Sequence, residues 1–477
     1  MKTALFLNPP SGLYRRDDRC QCKVDEQTVR VIFEPIELAI YAAIFEQAGW
    51  RCAIRDYPAR GGSWSDLERD VARLEADFVL FVPTTATIDS DLEVARIVKR
   101  LRPSALVAGK GDYMGIFGER ILEEVPELDL ILVGEPDLTL QDIAAGVPLG
   151  EMAGVLFREG SEGNGGTRLV RREQRKFIEE LDALPRPARH LLENDLYTSP
   201  ETGNRMGVIH SQRGCPAACT FCNIGHVYGK PIRTRSPEHV VAEIESCVRD
   251  FGIREFLFHG DTFTYKKKWT IALCQLIVER GLKVRWGCNS RVDTIDAERA
   301  EWMRRAGCWV VAFGIETGDQ GLLDAMKKGA TVEQAHEAVR VCRAAGLRTQ
   351  AFMIIGTPDE SEETLAKTLD FIQELDPDFF DFNIAYPLPG TELYEEGLRD
   401  GLFEEEILAH GSYAKAAIRS RHLSNEALTE WRRRALMKMY LRPKYIARTL
   451  WRARSPNKIA HYVKAGTGRL RSLMAAN

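Results

Sequence analysis

Along the first 145 residues, short apolar runs alternate with stretches of helical periodicity. The apolar runs fall at 4–7, 52–54, 78–82, 105–108 and 128–133. Amphipathic stretches such as 37–48 and 65–75 lie between them. The rhythm predicts a parallel sheet with helices on both faces. Residues 150–200 break it. Runs 154–158 and 168–171 read as a hairpin around the turn-rich 159–167, and 181–187, with Pro185 and Pro187, reads as an extended linker. From residue 205 the rhythm returns. Strands are predicted at 207–210, 256–259, 284–288, 310–314, 350–355 and 380–385, with helices at 237–250, 267–280, 296–306, 332–345 and 361–375.

Five early strands suit a flavodoxin/Rossmann-like domain, with a ligand at the carboxyl ends of the strands near the switch in strand order. Six later βα units are too few to close an eight-stranded barrel, so any barrel that they form is open. The expected layout is an α/β domain over 1–145, a hairpin and linker over 146–195, the barrel over 196–395, and a C-terminal helical region over 396–477.

A length of 477 residues fits two to four domains. Hydrophobic content of 44% and charged content of 28% are ordinary for globular protein. No apolar run is long enough to span a bilayer. The start, through Asn8-Pro9-Pro10, is broken too early for a signal peptide and reads as a first strand. Eleven cysteines without a signal argue for reduced thiols and a cytoplasmic location. The net charge of −4 is uneven: residues 431–477 hold 13 Lys or Arg and no acid, against 52 basic and 69 acidic side chains elsewhere. This tail reads as a helical face docked on the acidic body, or as an amphipathic helix at the inner face of a membrane. Nucleic acid is the least favoured partner.

The densest chemistry is the run Arg213-Gly214-Cys215-Pro216-Ala217-Ala218-Cys219-Thr220-Phe221-Cys222. Three cysteines in eight residues can wrap one small object, and thiolates in that number favour an iron–sulfur cluster or zinc. A closed structural site needs a fourth ligand, and Cys247 is 25 residues away in a helical pattern. Three ligands suggest a cubane with one iron open for chemistry.

This loop and the region 200–395 resemble the radical S-adenosylmethionine (SAM) enzymes, and the resemblance implies that the six βα units form a partial (β/α)6 TIM-type barrel. The resemblance implies that Cys215, Cys219 and Cys222 hold a [4Fe–4S] cluster whose open iron binds SAM, with Phe221 adjacent. It places SAM contacts at the predicted strand ends. Asp261 of His259-Gly260-Asp261 would meet the ammonium, Asn289 and Arg291 the carboxylate side. Glu316 of Gly314-Ile315-Glu316-Thr317 would meet the ribose or amino group, and Gly356 would lie in the turn beside the adenine. The second Gly of the usual turn there is Asp359 in this chain. The turn Pro387-Leu388-Pro389-Gly390-Thr391 is as readily structural as substrate-facing.

Residues 1–145 resemble the cobalamin-binding domains of one radical SAM subfamily. The resemblance rests on 35–49, Asp56, 77–85 and Gly134-Glu135-Pro136-Asp137, and implies cobalamin contacts at Pro10, Thr84, Thr85, Gly109, Gly111, Gly134 and Glu135. The histidine-bearing D-x-H-x-x-G motif is absent, and the usual Gly-Gly turn is Gly109-Lys110-Gly111. Cys20 and Cys22, one residue apart, read as part of a covering loop rather than a second cluster. The implied function is a cobalamin-dependent radical SAM methyltransferase. It would act on an unactivated carbon of a small or lipid-like substrate, with an electron donor such as flavodoxin or ferredoxin. The alternatives are C–H functionalisation without methyl transfer, such as oxidative cyclisation of a tetrapyrrole ester, and a non-catalytic cobalamin or SAM sensor.

Overall fold

The computed structural model describes residues 1–17, 21–27, 30–160, 167–453 and 466. Its first sheet contains β1 (Thr3–Asn8), β2 (Arg51–Asp56), β3 (Phe78–Phe81), β4 (Leu106–Lys110), β5 (Leu130–Leu132), β6 (Val155–Gly160) and β7 (Thr167–Arg171), in the order β2-β1-β3-β4-β5-β6-β7. The first five strands are parallel. Along β1, Ala4 and Phe6 enter the core on one face, Leu5 and Leu7 that on the other. This alternation is why a parallel strand buried on both faces reads as an unbroken apolar run. The order 2-1-3-4-5 is that of flavodoxin-like folds, with its switch between β1 and β3.

The expected hairpin forms, but as part of the first sheet: β6 pairs antiparallel with β5, and β7 with β6. Val155, Leu156 and Phe157 are buried there, so the hairpin covers an edge that β5 would otherwise expose.

The second sheet holds β8 (Met206–His210), β11 (Glu255–His259), β12 (Arg285–Ser290), β13 (Cys308–Glu316), β14 (Arg348–Ile355) and β15 (Phe379–Ile384), all parallel and adjacent in chain order. A short antiparallel ribbon, β9 (Gln212–Arg213) with β10 (Arg233–Thr234), brackets the cysteine loop. The sheet is an open barrel whose outer strands are β8 and β15.

Both outer strands are capped by buried arginines. At β8, the Val208 N–H donates to Glu34 Oε1 at 2.6 Å and its carbonyl accepts Arg189 Nη2 at 2.6 Å. Arg189 also pairs with Glu243, so three segments of the chain meet in one buried network. The helix Ile36–Gln47 is apolar on nearly every side because it lies between the first sheet and this edge, and Val208 joins its core. At β15, the helix Asn425–Tyr440 supplies Arg432, 4% exposed, whose Nε donates to the Phe382 carbonyl at 2.5 Å.

The start of the basic tail is therefore docked. Trp431 packs edge-on to Phe382, and Tyr440 and Tyr445 lie 4.9 and 5.4 Å from the Phe380 ring. Lys444 and Arg448 pair with Asp376 at 3.0 and 2.7 Å. Leu441, Ile446 and Trp451 stay exposed. The tail positions 454–465 and 467–477 lie outside the described residues, as does Cys20. Among the described residues no helix is long and apolar enough to cross a membrane.

Candidate active site

The cysteine loop follows β8 and β9 directly, at the carboxyl end of the barrel. Gly214 must be glycine: its φ is 92°, and a Cβ there would come 2.3 Å from the Pro231 carbonyl oxygen. Asp261, after β11, accepts the Gly214 N–H on Oδ2 at 2.8 Å, which fixes the base of the loop. Cys215 Sγ lies 3.9 Å from Thr262 Oγ1, and Cys219 Sγ lies 3.9 Å from Arg291 Nη1. The three thiols are half-buried and near enough to affect one another's ionisation. Burial pushes Cys222 up to about 12, so ligation by it releases a proton.

Among the described residues no three His, Cys, Asp or Glu side chains are set to hold a single metal ion. A mononuclear zinc site would bring sulfurs within about 3.8 Å of one another, from its tetrahedral geometry. A four-iron cluster holds its cysteines farther apart, so a loop with three thiols, and no fourth ligand beside them among the described residues, fits the cluster.

The SAM-side residues converge on this loop from successive strand ends. Phe221 is half-buried against Leu322, Leu323 and Met326. Asn289 ends β12, and its carbonyl accepts the Phe263 N–H at 3.1 Å. Arg291 follows, its fork on Asp293 with two contacts of 2.9 Å. Glu316 ends β13 beside a register shift, with φ at 74°, a left-handed conformation uncommon for glutamate. It is 4% exposed and ion-paired with Lys328. Burial alone would lower the Lys328 pKa, but Glu316 and Cys219 outweigh it and raise it. Gly356, φ 79°, follows β14, and its N–H donates to Glu360 at 3.2 Å.

The cobalamin-side residues gather at the carboxyl ends of the first sheet. Pro10 follows β1, Thr84 and Thr85 follow β3, and Gly109 and Gly111 lie in and after β4. Arg16 and Asp91 pair at 2.8 Å across the β1/β3 switch, where Asp91 also takes the Thr84 N–H. The Thr85 N–H donates to Gln21, but its own buried hydroxyl has no partner among the described residues. Gln212, 3% exposed across the cleft, pairs among the described residues through neither its amide nitrogen nor its amide oxygen. Such orphaned polar atoms at a strand-order switch fit a large ligand rich in amides, as cobalamin is.

Gly134 lies against the Gln174 side chain. Glu135, which follows Gly134, is 3% exposed. Its oxygens meet Arg213 at 2.6 Å and Arg233 at 2.8 Å, and one takes the Ile178 N–H at 2.9 Å. Burial opposes its ionisation, and the two arginines still hold its pKa below the ordinary value. Glu135 thus ties the first sheet to the strand that enters the cysteine loop, with Asp137 beside it on Arg213.

Two further contacts join the units: Tyr228 donates to Glu37, which Lys110 pairs at 2.8 Å, and Asn223 bonds Asp112. A cleft of about 250 Å3, solvent-open space included, lies between them, lined by Glu37, His210, Gln212, Arg213, His259 and Asp261. In it His259 Nδ1 meets His210 Nε2 at 2.7 Å, and His259 Nε2 meets Asp17 at 3.1 Å. Sequence reasoning missed Lys328, Asp17 and both histidines. Lys328 sits in a polar turn that reads as surface, and the histidines carry no spacing signal.

Family comparison agrees with this geometry. Residues 209–372 match the Radical SAM superfamily, and residues 23–144 match the B12 binding domain. An uncharacterized methyltransferase of Pyrococcus horikoshii is 31% identical, over 94% of this chain and 95% of that relative. Cytidylyl-2-hydroxyethylphosphonate methyltransferase of Streptomyces wedmorensis is 27% identical, over 87% of this chain and 85% of its own length. The cobalamin-dependent SAM radical enzyme OxsB, solved with aqua-cobalamin and SAM bound, shares the fold with a TM-score of 0.72 at 15% identity, over 99% of this chain and 72% of that one. With a [4Fe–4S] cluster, SAM and cobalamin as its cofactors, the chain belongs to the cobalamin-binding radical SAM enzymes.

Proposed function

We propose that this enzyme transfers a methyl group to an unactivated carbon of a small or lipid-like molecule. The observation that carries the reading is the apposition of the cysteine loop and the carboxyl ends of the first sheet, tied by Asn223–Asp112 and by Tyr228–Glu37–Lys110. A radical generated at one and a methyl carrier held at the other would share one cleft. When bound, the cluster and SAM supply a 5′-deoxyadenosyl radical that abstracts hydrogen, and cobalamin supplies the methyl group.

In this reading Cys215, Cys219 and Cys222 hold the cluster. Asp261 faces the SAM ammonium by charge complementarity while anchoring the loop through Gly214. Arg291 and Asn289 border its carboxylate, Glu316 its ribose, and Gly356 its adenine. Pro10, Thr84, Thr85, Gly109 and Gly111 border cobalamin, and the Thr85 hydroxyl and the Gln212 amide are the groups left to bond corrin amides. Glu135 serves as a clamp between the units. The domains together exclude water from the radical.

The electron comes from a flavodoxin- or ferredoxin-type donor, and the exposed Leu441, Ile446 and Trp451 rest at a membrane face where a lipid-like substrate gathers. The test is anaerobic reconstitution with iron, sulfide and hydroxocobalamin, then mass spectrometry of products from candidate lipids and small metabolites. A gain of one CH2, with label from methyl-labelled SAM, supports methyl transfer. Products of SAM cleavage with no labelled methyl in substrate would favour C–H functionalisation without methyl transfer.

A further inference from the structure

The turn between the helices Gln320–Ala325 and Val332–Ala344 touches three parts of the site at once. Its Met326 carbonyl accepts the N–H of Thr220, inside the cysteine loop, at 3.0 Å. Its Lys328 carbonyl accepts Arg291 Nη2 at 2.6 Å. Its Lys328 ammonium is paired with Glu316, and the two side chains are 7% and 6% exposed. Lys328 Nζ also lies 5.9 Å from the centre of the Phe221 ring, the residue before Cys222.

An ammonium this deeply buried costs several kcal/mol unless it is paired. Glu316 provides the pairing, at the expense of a left-handed backbone at the end of β13. Cys219 faces three charges in this corner: Lys328, Glu316 and Arg291. Arg291 is itself forked onto Asp293, which leaves Lys328 as the cation set against Glu316. A buried negative charge without its counter-ion would oppose the gain of an electron beside it, because little water is present to screen the field. Reduction potentials of iron–sulfur clusters follow local charge and burial.

We infer that Lys328 is a positioning residue that cancels Glu316 and thereby keeps an uncompensated negative charge from facing Cys219, raising the reduction potential of the cluster. The inference rests on the reading that Cys215, Cys219 and Cys222 hold that cluster. The step concerned takes one electron from a low-potential donor and makes or breaks no bond.

The test is a redox titration of the reconstituted full-length protein without SAM, followed by electron paramagnetic resonance. Lys328→Met should lower the midpoint at least tenfold in the one-electron equilibrium constant, about 59 mV. Lys328→Arg should stay near the wild type, because it keeps the charge. Glu316→Gln should move the midpoint upward, and the double variant Lys328→Met/Glu316→Gln should return toward the wild type. An unchanged midpoint in Lys328→Met with normal iron content overturns the inference. If that variant holds no cluster, an unchanged midpoint in Glu316→Gln overturns it equally. Wild-type protein without a cluster would instead remove the reading of the cysteines beneath it.

Discussion

Arg432 donates from Nε to the carbonyl of Phe382 at 2.5 Å, on the outer edge of the last barrel strand. Asp381, 2% exposed, lies 3.8 Å from the same guanidinium. At the opposite edge, Glu34 and Arg189 bond the N–H and carbonyl of Val208. An open barrel leaves two strand edges with backbone groups that cannot pair with each other, and buried unpaired groups are costly. Here side chains from outside the barrel satisfy them. Arg432→Met should therefore destabilise the protein by about 1–3 kcal/mol, the cost of leaving the buried Phe382 carbonyl without its donor. The measurement is the denaturation midpoint of the full-length protein; a loss under about 1 kcal/mol would show that the edge needs no cap.

Cys219→Ala should abolish both cluster assembly and SAM cleavage, since two thiolates cannot hold three corners of a cubane. Iron and sulfide content and 5′-deoxyadenosine formation are the readouts. Wild-type iron in the variant would remove the cluster from this loop. Zinc in place of iron in anaerobically prepared protein would revive a mononuclear site, which the three thiols are not set to form.

Cobalamin should bind with no imidazole from the first domain. The D-x-H-x-x-G motif is missing, and the first histidine in the chain is His190. Protein loaded with hydroxocobalamin should show a base-off spectrum. Thr85→Val, which removes the orphaned hydroxyl at the β1/β3 switch, should weaken corrinoid retention on gel filtration. Equal retention in wild type and variant would place the corrinoid elsewhere on the strand ends.

What was legible in the sequence follows from how local each signal is. The strands of both sheets appear as apolar runs because parallel strands buried on two faces leave no polar alternation. The cysteine loop is legible because its spacing is itself the chemistry. Glu135 and Lys328 were not, because their meaning lies in partners 78 residues and 12 residues away, Arg213 and Glu316. The hairpin over 154–171 was seen as a hairpin, but its place on β5 depends on an edge that periodicity does not report. For the basic tail, the charge imbalance pointed to a face docked on the acidic body, and at its start Arg432, Lys444 and Arg448 have acidic or carbonyl partners on the barrel, which the charge count does not name.

Glu360 should make stability depend on pH near neutrality. Burial raises its carboxyl from 4.5 to about 7, against hydrogen bonds from Thr364 and the Gly356 N–H that pull the other way. Between these values the unfolded chain releases the proton and the folded chain keeps it, so stability falls as pH rises from about 4.5 to about 7. The swing is about 3 kcal/mol at 1.36 kcal/mol per unit. Glu360→Gln keeps an acceptor for Gly356 and carries no charge, so its stability should exceed the wild type's above pH 7 and the gap should close toward pH 4.5. A constant gap across that range would show that the carboxyl ionises normally in the folded protein.

The last helices test whether the enzyme works at a membrane. Trp431, Tyr440 and Tyr445 are turned to the barrel and contribute nothing to a lipid face. What remains outward is Leu441 at 51%, Ile446 at 41% and Trp451 at 72% exposure, beside the exposed Arg434, Lys438 and Lys444. Apolar side chains flanked by cations match an anionic lipid surface, and each basic residue near one adds about 1 kcal/mol. A truncation at Glu430 is unsuitable as a test, because it removes Arg432 and opens the β15 edge. The triple variant Leu441→Glu/Ile446→Glu/Trp451→Glu leaves that cap in place. Full-length protein should sediment with anionic vesicles at low salt and release as salt shortens the Debye length. The triple variant should stay in the supernatant with its denaturation midpoint unchanged. Equal sedimentation of both, or of neither, would leave these helices with the single task of closing the barrel, and the lipid-like substrate would lose its support from the tail.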